Sequence, residues 1–221
     1  MTKYILTLFI LFSSLIIAQK QDEAITFENK LIVNREPKFD SDTIYTIKKN
    51  EVFLIVENEE NNSDWLYVKI TLNKFSKIKS KNIYGFIPKS KVIFIDNLNK
   101  NSQENIALKF NLIKADTINK ISYNESQYGL EIPLNLSFLV NSMSLQWKGE
   151  TINLNTELYD DLYNVSFHEG NYSSIENPMF VIYEYERVFY IKQECADGAG
   201  YYEITWVINN GEIVQRIIDE I

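Results

Sequence analysis

Five short pieces rich in apolar residues follow one another in the first half of the chain: LIVNREP at residues 31–37, TIKKNEV at 46–52, WLYV at 65–68, GFI at 85–87 and VIFI at 92–95. β-Branched and aromatic residues dominate these pieces, and such side chains suit a pleated, half-buried surface. Polar turn residues separate one piece from the next. Short apolar runs at this close spacing predict strands of a barrel or a sandwich.

The order of these pieces resembles a bacterial SH3-like domain of the SH3b type. The family begins with a strand, an Arg and a Pro-containing loop, as residues 31–37 do. A Thr-Ile-x-x-x-Glu-Val strand follows, matched by residues 46–52, and then a Trp-x-x-Val strand, matched by residues 65–68. The family closes on Gly-Trp-Val, for which this chain has Gly-Phe-Ile at 85–87. The resemblance covers residues 31–95 and leaves the second half of the chain unmatched.

Three departures from the family pattern are visible. Asn50 stands where the family usually has Gly, and Asn is the next most tolerant residue of a left-handed backbone. Phe86 replaces a Trp, and residues 73–82 form a longer loop than usual. The resemblance implies an SH3-like barrel over residues 25–96 that binds a ligand and does not catalyse a reaction.

The resemblance also implies where the ligand lies. In related domains the loop after the first strand and exposed aromatic residues flank the groove. The candidate ligand-binding residues are Tyr45, Trp65, Tyr67 and Tyr84. Tyr84 is the strongest groove candidate, because a Tyr ring offers apolar area and a polar tip. Phe86 is expected in the core, while Trp65 is expected in either place, since Trp is rarely fully buried.

The rest of the chain predicts a polar linker at residues 97–105 and a second β-rich domain at 106–221, of no family that the sequence identifies. Residues 106–121 fit a strand or a helix. Turn residues predict three hairpins, at Lys148-Gly149, at Glu186-Arg187 and at Asn209-Asn210-Gly211. The last two place an antiparallel meander at the C-terminus.

Aromatic residues are dense in this final third. Tyr202, Ile204 and Trp206 fall on one face of a strand, because side chains alternate between the two faces. Such a row either packs against another sheet or forms an exposed binding surface. We expect packing, since aromatic side chains bury large areas.

The first eighteen residues have the layout of a secretory signal peptide. Lys3 gives a positive start, an apolar run follows, and Ala18 offers a small residue at a cleavage point. An uncleaved anchor is the alternative, but the run is shorter than the ~20 residues that a spanning helix needs. We therefore expect export to a periplasmic or extracellular location, with no transmembrane segment in the mature chain.

The charge and the cysteine content of the chain bear on its partners and on what stabilises its fold. The formal net charge of −8 disfavours nucleic acid, because phosphate binding needs patches of Lys and Arg. Cys195 is the single cysteine, so an internal disulfide cannot form. Stability must therefore come from buried cores.

No residue pattern predicts catalysis, a metal or a cofactor. His168 is the single histidine, and the sequence has no Gly-x-Ser-x-Gly nucleophile elbow. A dyad of Cys195 and His168 stays open, although a buried structural thiol and an exposed loop histidine are the preferred interpretation. Asp160-Asp161 and Asp40-Ser41-Asp42 lack the spacing of a calcium loop and are expected in solvated turns.

These observations favour an exported, non-catalytic binding or scaffolding protein of the bacterial envelope, with cell-wall peptide or an envelope protein as partner. Two alternatives remain. One is a cell-wall-targeted hydrolase with its site in the second domain. The other is an inhibitor or immunity protein, which the acidic composition would suit.

Overall fold

The computed structural model describes residues 21–56, 64–75, 80–101, 106–114, 128–129, 138–165, 180–195 and 201–220. These residues are mainly β, in several antiparallel sheets, as the sequence predicts. Within these ranges no helix is long and apolar enough to cross a membrane. The predicted signal peptide and His168 lie outside the described residues.

Fifteen strands are present in the described part of the chain. They are β1 Asp22–Thr26, β2 Lys30–Asn34, β3 Thr43–Lys48, β4 Phe53–Ile55, β5 Trp65–Thr71, β6 Asn82–Pro88, β7 Val92–Phe94, β8 Asn99–Lys100, β9 Ile106–Lys114, β10 Phe138–Trp147, β11 Glu150–Asn153, β12 Phe180–Tyr185, β13 Val188–Cys195, β14 Tyr202–Asn209 and β15 Glu212–Glu220. Short 3-10 turns occupy Lys89–Lys91, Ile95–Asn97 and Thr156–Leu158.

The stretch that resembles an SH3-like domain forms a seven-stranded sheet in the order β3-β2-β6-β5-β4-β1-β7. Each neighbouring pair is antiparallel, and β2 meets β6 at Asn34 and Phe86. The two end strands, β3 and β7, do not pair with each other. The sheet is therefore open, and the closed barrel expected from the resemblance is not confirmed.

The first core lies inside this sheet. Its buried members come from β1 to β6, so the sheet must curl around them; they are Ala24, Leu31, Val33, Ile47, Phe53, Leu66, Val68, Ile70 and Ile87. Alternation along β5 explains the pattern, because Leu66, Val68 and Ile70 point inward while the residues between them point outward. Burial of these aliphatic side chains stabilises the sheet by about 1.5–3 kcal/mol each.

The second half contains a three-stranded sheet, β11-β10-β9, and a five-stranded sheet, β15-β14-β13-β12-β8. All three predicted hairpins are confirmed by strand pairings on either side of their turns. The turn residues have the positive φ angles that two-residue hairpin loops need, for example 52° at Asn210 and 83° at Gly211. Residues 106–114, ambiguous in the sequence, form strand β9.

The five-stranded sheet is covered on both faces. Trp206 and its neighbours in the row, Tyr202 and Ile204, are buried in a core shared with the three-stranded sheet, which confirms the expected packing of the aromatic row. Val207 points the other way, into a core shared with the seven-stranded sheet. β14 is therefore an interior strand.

This second contact, which we call the seam, joins the two halves of the chain. Ile25, Val52, Leu54 and Ile95 from the first half pack there against Tyr183, Val188, Tyr190, Val207 and Ile217. The seam also has a paired amide contact, because Gln215 Oε1 accepts from Val52 N at 2.8 Å and Gln215 Nε2 donates to Val52 O at 2.9 Å. Asn99 and Lys100, from the predicted linker, pair with β12.

Gly85 lies where β6 passes closest to β2 and β3. A Cβ atom at this position would stand 2.7 Å from the Asn34 carbonyl oxygen and 2.8 Å from Val33 Cγ1. We expect Gly85→Ala to lower the free energy of unfolding by about 1–3 kcal/mol through overpacking. Urea denaturation measures this loss. The exposed Lys81→Ala should change stability by less than about 0.5 kcal/mol, and equal effects of the two substitutions would refute the close packing at Gly85.

Candidate functional site

The outer face of β5 and β6 carries a row of aromatic side chains. Tyr67 is in register with Phe86, and Lys69 with Tyr84. Trp65 belongs to the same face as Tyr67, because residues two apart on a strand point the same way. A fifth ring, Phe39, reaches this face from the loop between β2 and β3. We call Phe39, Trp65, Tyr67, Tyr84 and Phe86 the aromatic strip.

The rings of the aromatic strip contact one another in two groups, one of Phe39 and Trp65 and one of Tyr67, Phe86 and Tyr84. Phe39 lies 4.9 Å from Trp65 between ring centroids, at an interplanar angle of 56°. Tyr67 lies 4.9 Å from Phe86 at 45° and 6.1 Å from Tyr84 at 25°. Aromatic pairs at these separations stabilise each other by about 0.5–1.5 kcal/mol beyond their buried area.

Exposure rises toward the two ends of the aromatic strip. Trp65 and Phe86 are buried, Tyr67 is half-buried, Tyr84 is 45% exposed and Phe39 is 81% exposed. An isolated exposed apolar residue needs no explanation, but two rings fixed to one aromatic row form a preformed apolar surface. The strip therefore offers contact area that already has a rigid support.

A pocket opens at the Phe39 end. Its volume is about 450 Å³, and it is lined by Phe39, Asp64, Trp65, Pro88, Lys89 and Ser90. A backbone hydrogen bond from Lys89 N to Asp64 O, 2.8 Å long, closes the strand ends behind it. We call this the end pocket. It combines aromatic walls with both charge signs.

The structure brings three of the four candidate residues together and separates the fourth. Trp65, Tyr67 and Tyr84 belong to the aromatic strip. Tyr45 is in register with the core residue Val33 and packs against the first core, on the opposite face. Phe39 is not among the residues predicted from the sequence, although a large apolar residue within the polar loop Glu36 to Asp42 could have indicated a binding surface.

Tyr45 lines a different cavity, of about 190 Å³, at the edge of the seam. The side walls come from the first half and the floor from the second; the lining residues are Tyr45, Lys48, Lys49, Asn50, Glu51, Thr71, Leu72, Lys74, Val188, Val207, Asn209, Val214 and Gln215. We call this the seam cavity. Tyr45 Oη donates to Glu51 Oε1 at 3.1 Å, and burial together with the Glu51 charge raises the pKa of Tyr45.

An ion cluster with a buried carboxylate, Glu23, and an exposed one, Asp96, lies at another part of the seam. Lys192 Nζ is 3.3 Å from Glu23 Oε2 and 2.9 Å from Asp96 Oδ1, and Thr205 Oγ1 donates to Glu23 Oε2 at 2.6 Å. Burial raises the pKa of Glu23 despite the neighbouring ammonium. Burial opposes the charge of Lys192, but Glu23 and Asp96 outweigh it and raise the pKa of the amine. The cluster crosses the seam and is internally paired.

Cys195 is fully buried, as the sequence predicts for a structural thiol. Its Sγ lies 3.6 Å from the Val165 carbonyl oxygen, and burial raises the pKa of the thiol well above its usual value. A reactive cysteine needs the opposite shift, because the thiolate is the nucleophile. Across the described ranges, no group of three His, Cys, Asp or Glu side chains is placed to hold a metal ion.

Comparisons with protein-family models, with curated proteins and with solved structures found no match to this chain.

Proposed function

We propose that the protein is an exported, non-catalytic binding protein of the bacterial envelope that holds an extended peptide on the aromatic strip. The observation that carries this proposal is the exposure of Phe39 and Tyr84 at the ends of a row whose middle, Trp65 and Phe86, is buried. Rigid aromatic anchors beside a pocket are the usual centres of binding energy in protein recognition. The likeness of residues 31–95 to SH3-like domains, which bind peptides, supports the same conclusion.

The orientation of the rings favours a peptide over a sugar chain. Phe39 and Trp65 are inclined by 56° and Tyr67 and Phe86 by 45°, while Tyr67 and Tyr84 are inclined by 25°, so the rings do not form one flat platform. Extended peptides dock into aromatic clefts, with alternate side chains in the grooves. Asp64 and Lys89 in the end pocket provide partners for a peptide's amine and carboxylate groups.

Cell-wall stem peptide is the proposed ligand class within the envelope. These peptides carry free amines and carboxylates and lie in the compartment to which the predicted signal peptide would direct the chain. The hydrolase alternative finds no support at Cys195, because burial raises the pKa of its thiol.

The experiment is binding to purified cell-wall sacculi by sedimentation, with competition by soluble stem peptides. We expect the double substitution Phe39→Ala with Tyr84→Ala to weaken binding by at least about thirtyfold, because the loss of even one hot-spot side chain costs about 2 kcal/mol or more. Both residues are exposed, so their removal should leave the fold intact.

The matched control is Val181→Ala, which removes an exposed apolar side chain from the five-stranded sheet and should leave binding unchanged. Glycan strands stripped of their peptides should fail to compete. Competition by bare glycan equal to that of stem peptide, or full binding by the double variant, would contradict the proposal.

A further inference from the structure

We infer that the seam cavity is a second binding site, independent of the aromatic strip, that takes a small organic anion bearing a hydroxyl group. The lining of the seam cavity carries an excess of positive charge. Three of the four charged residues that line the cavity are lysines, Lys48, Lys49 and Lys74, although the whole chain has a net charge of −8. A local excess of positive charge in an acidic protein favours an anion there.

The existing carboxylates leave two of these lysines available. Glu51 is held by its own fold, because Oε1 accepts from Tyr45 Oη and Oε2 accepts from Lys48 N. Lys49 pairs with Glu186 at 2.7 Å. Within the part of the chain that the structure describes, no carboxylate forms an ion pair with Lys48 or Lys74.

The floor of the seam cavity is apolar. Val188 and Val207 belong to the seam core, and Val214 packs against it. Val188 and Val207 are buried, while Val214 is half-buried and would face water beside an inorganic ion. An anion with an apolar body would cover Val214 while its charged end reaches Lys48 and Lys74, as small-molecule sites commonly combine apolar walls with a few polar groups.

Asn50 indicates a third property of the ligand, a hydrogen-bond donor, besides its negative charge and its apolar body. It lines the cavity, and its Oδ1 is buried without a hydrogen-bond partner among the described residues. A buried acceptor without a partner costs free energy, so a ligand that donates a hydrogen bond to Oδ1, once the Asn50 side chain turns toward the cavity, gains affinity. A hydroxyl group is such a donor. The cavity of about 190 Å³ admits one small ring or a short chain.

The probe is 4-hydroxybenzoate, which has a carboxylate, an apolar ring and a hydroxyl donor. Isothermal titration should show saturable binding with one site per chain. The neutral 4-hydroxybenzamide should bind at least about tenfold more weakly, because it loses charge-assisted hydrogen bonds to the lysines. Inorganic phosphate should also bind more weakly than the probe, since it leaves Val214 uncovered.

Lys48→Met and Lys74→Met should each weaken binding of 4-hydroxybenzoate by about tenfold. Both lysines are exposed, so these variants should fold. Lys109→Met, which removes an exposed lysine from β9, should leave the affinity unchanged. The double variant Phe39→Ala with Tyr84→Ala should also leave it unchanged, so failure of the strip proposal is separable from failure of this one.

Asn50→Gly tests the hydroxyl. Asn50 has a φ of 63°, which glycine tolerates, so the backbone should persist without the side-chain acceptor. Wild-type protein should prefer 4-hydroxybenzoate to benzoate, and Asn50→Gly should abolish this preference. Absence of saturable binding at millimolar concentration, affinity unaffected by both lysine variants, or equal affinity for the acid and the amide would each overturn the inference.

Discussion

Arg216→Ala is expected to lower the free energy of unfolding by about 3–5 kcal/mol, because it leaves a buried carboxylate without its partner. The Arg216 side chain is fully buried. Its Nη1 and Nη2 each donate to one Asp161 oxygen at 2.8 Å, and its Nε donates to the Phe75 carbonyl at 2.8 Å. A fourth bond reaches the Leu158 carbonyl at 2.6 Å. One guanidinium thus fixes β15 to two separate loops.

Urea denaturation of the variants in a double-mutant cycle measures how much the Arg216–Asp161 pair contributes to the free energy of unfolding. Arg216→Met combined with Asp161→Leu removes both charges, so the cycle should give a coupling energy of about 1–3 kcal/mol. The matched control is Arg35→Ala, because Arg35 pairs with Asp42 at 3.7 Å on the exposed surface and such pairs contribute about 0–1 kcal/mol. A loss from Arg216→Ala no larger than that from Arg35→Ala would contradict the buried network.

Leu54→Ala should lower the free energy of unfolding by about 2–5 kcal/mol and should do so for both halves of the chain. Leu54 is 1% exposed and belongs to the seam core, where it packs with residues of the five-stranded sheet. Because one core joins the two sheets, the cavity left by the substitution weakens both. The two halves should then unfold in one transition.

Native-state hydrogen exchange reports the protection of the amides in each strand separately, so it measures how far the stabilities of the two halves are coupled. Amides of β5 and amides of β14 should lose protection by similar factors in Leu54→Ala. Leu72→Ala, which truncates a 43%-exposed side chain, should leave protection unchanged in both strands. Loss in β5 with full protection in β14 would show that the halves are independent domains.

Local features of the chain could be predicted from sequence because their causes are local. The hairpins at Lys148-Gly149 and Asn209-Asn210-Gly211 depend on residues that tolerate positive φ, and both turns are confirmed. The left-handed conformation of Asn50 follows from the same property. The positions of the strands could also be predicted, since runs of β-branched and aromatic residues indicate them.

Long-range packing could not be predicted in the same way. β15 is a predicted strand, but nothing near Arg216 in sequence indicates that the side chain is buried against Asp161, 55 residues away. The expectation that Asp161 lies in a solvated turn is wrong for the same reason, since its side chain is buried in this ion pair. The seam is also formed by residues distant in sequence, because Leu54 and Val207 meet only once the seven-stranded and the five-stranded sheets have stacked. Period-two alternation identifies the two faces of a strand and cannot say that both are covered.

In the candidate site, too, some residues are placed by local alternation along a strand and others by long-range packing. Trp65 and Tyr67 share a strand face by simple alternation, and the pairing of β5 with β6 adds Tyr84. Tyr45 differs because the pairing of β2 with β3 places it beside Val33, on the core face. Phe39 joins the aromatic strip through a loop whose path depends on the whole sheet.

Nuclear magnetic resonance titration with a soluble stem peptide shows whether the aromatic strip is the peptide-binding surface. The proposal predicts saturable shifts of backbone amides in β5, β6 and the loop that carries Phe39, with none in β13 to β15. It also predicts that these shifts vanish in the double variant Phe39→Ala with Tyr84→Ala. Saturable shifts confined to the five-stranded sheet, or no shifts at millimolar peptide, would contradict it.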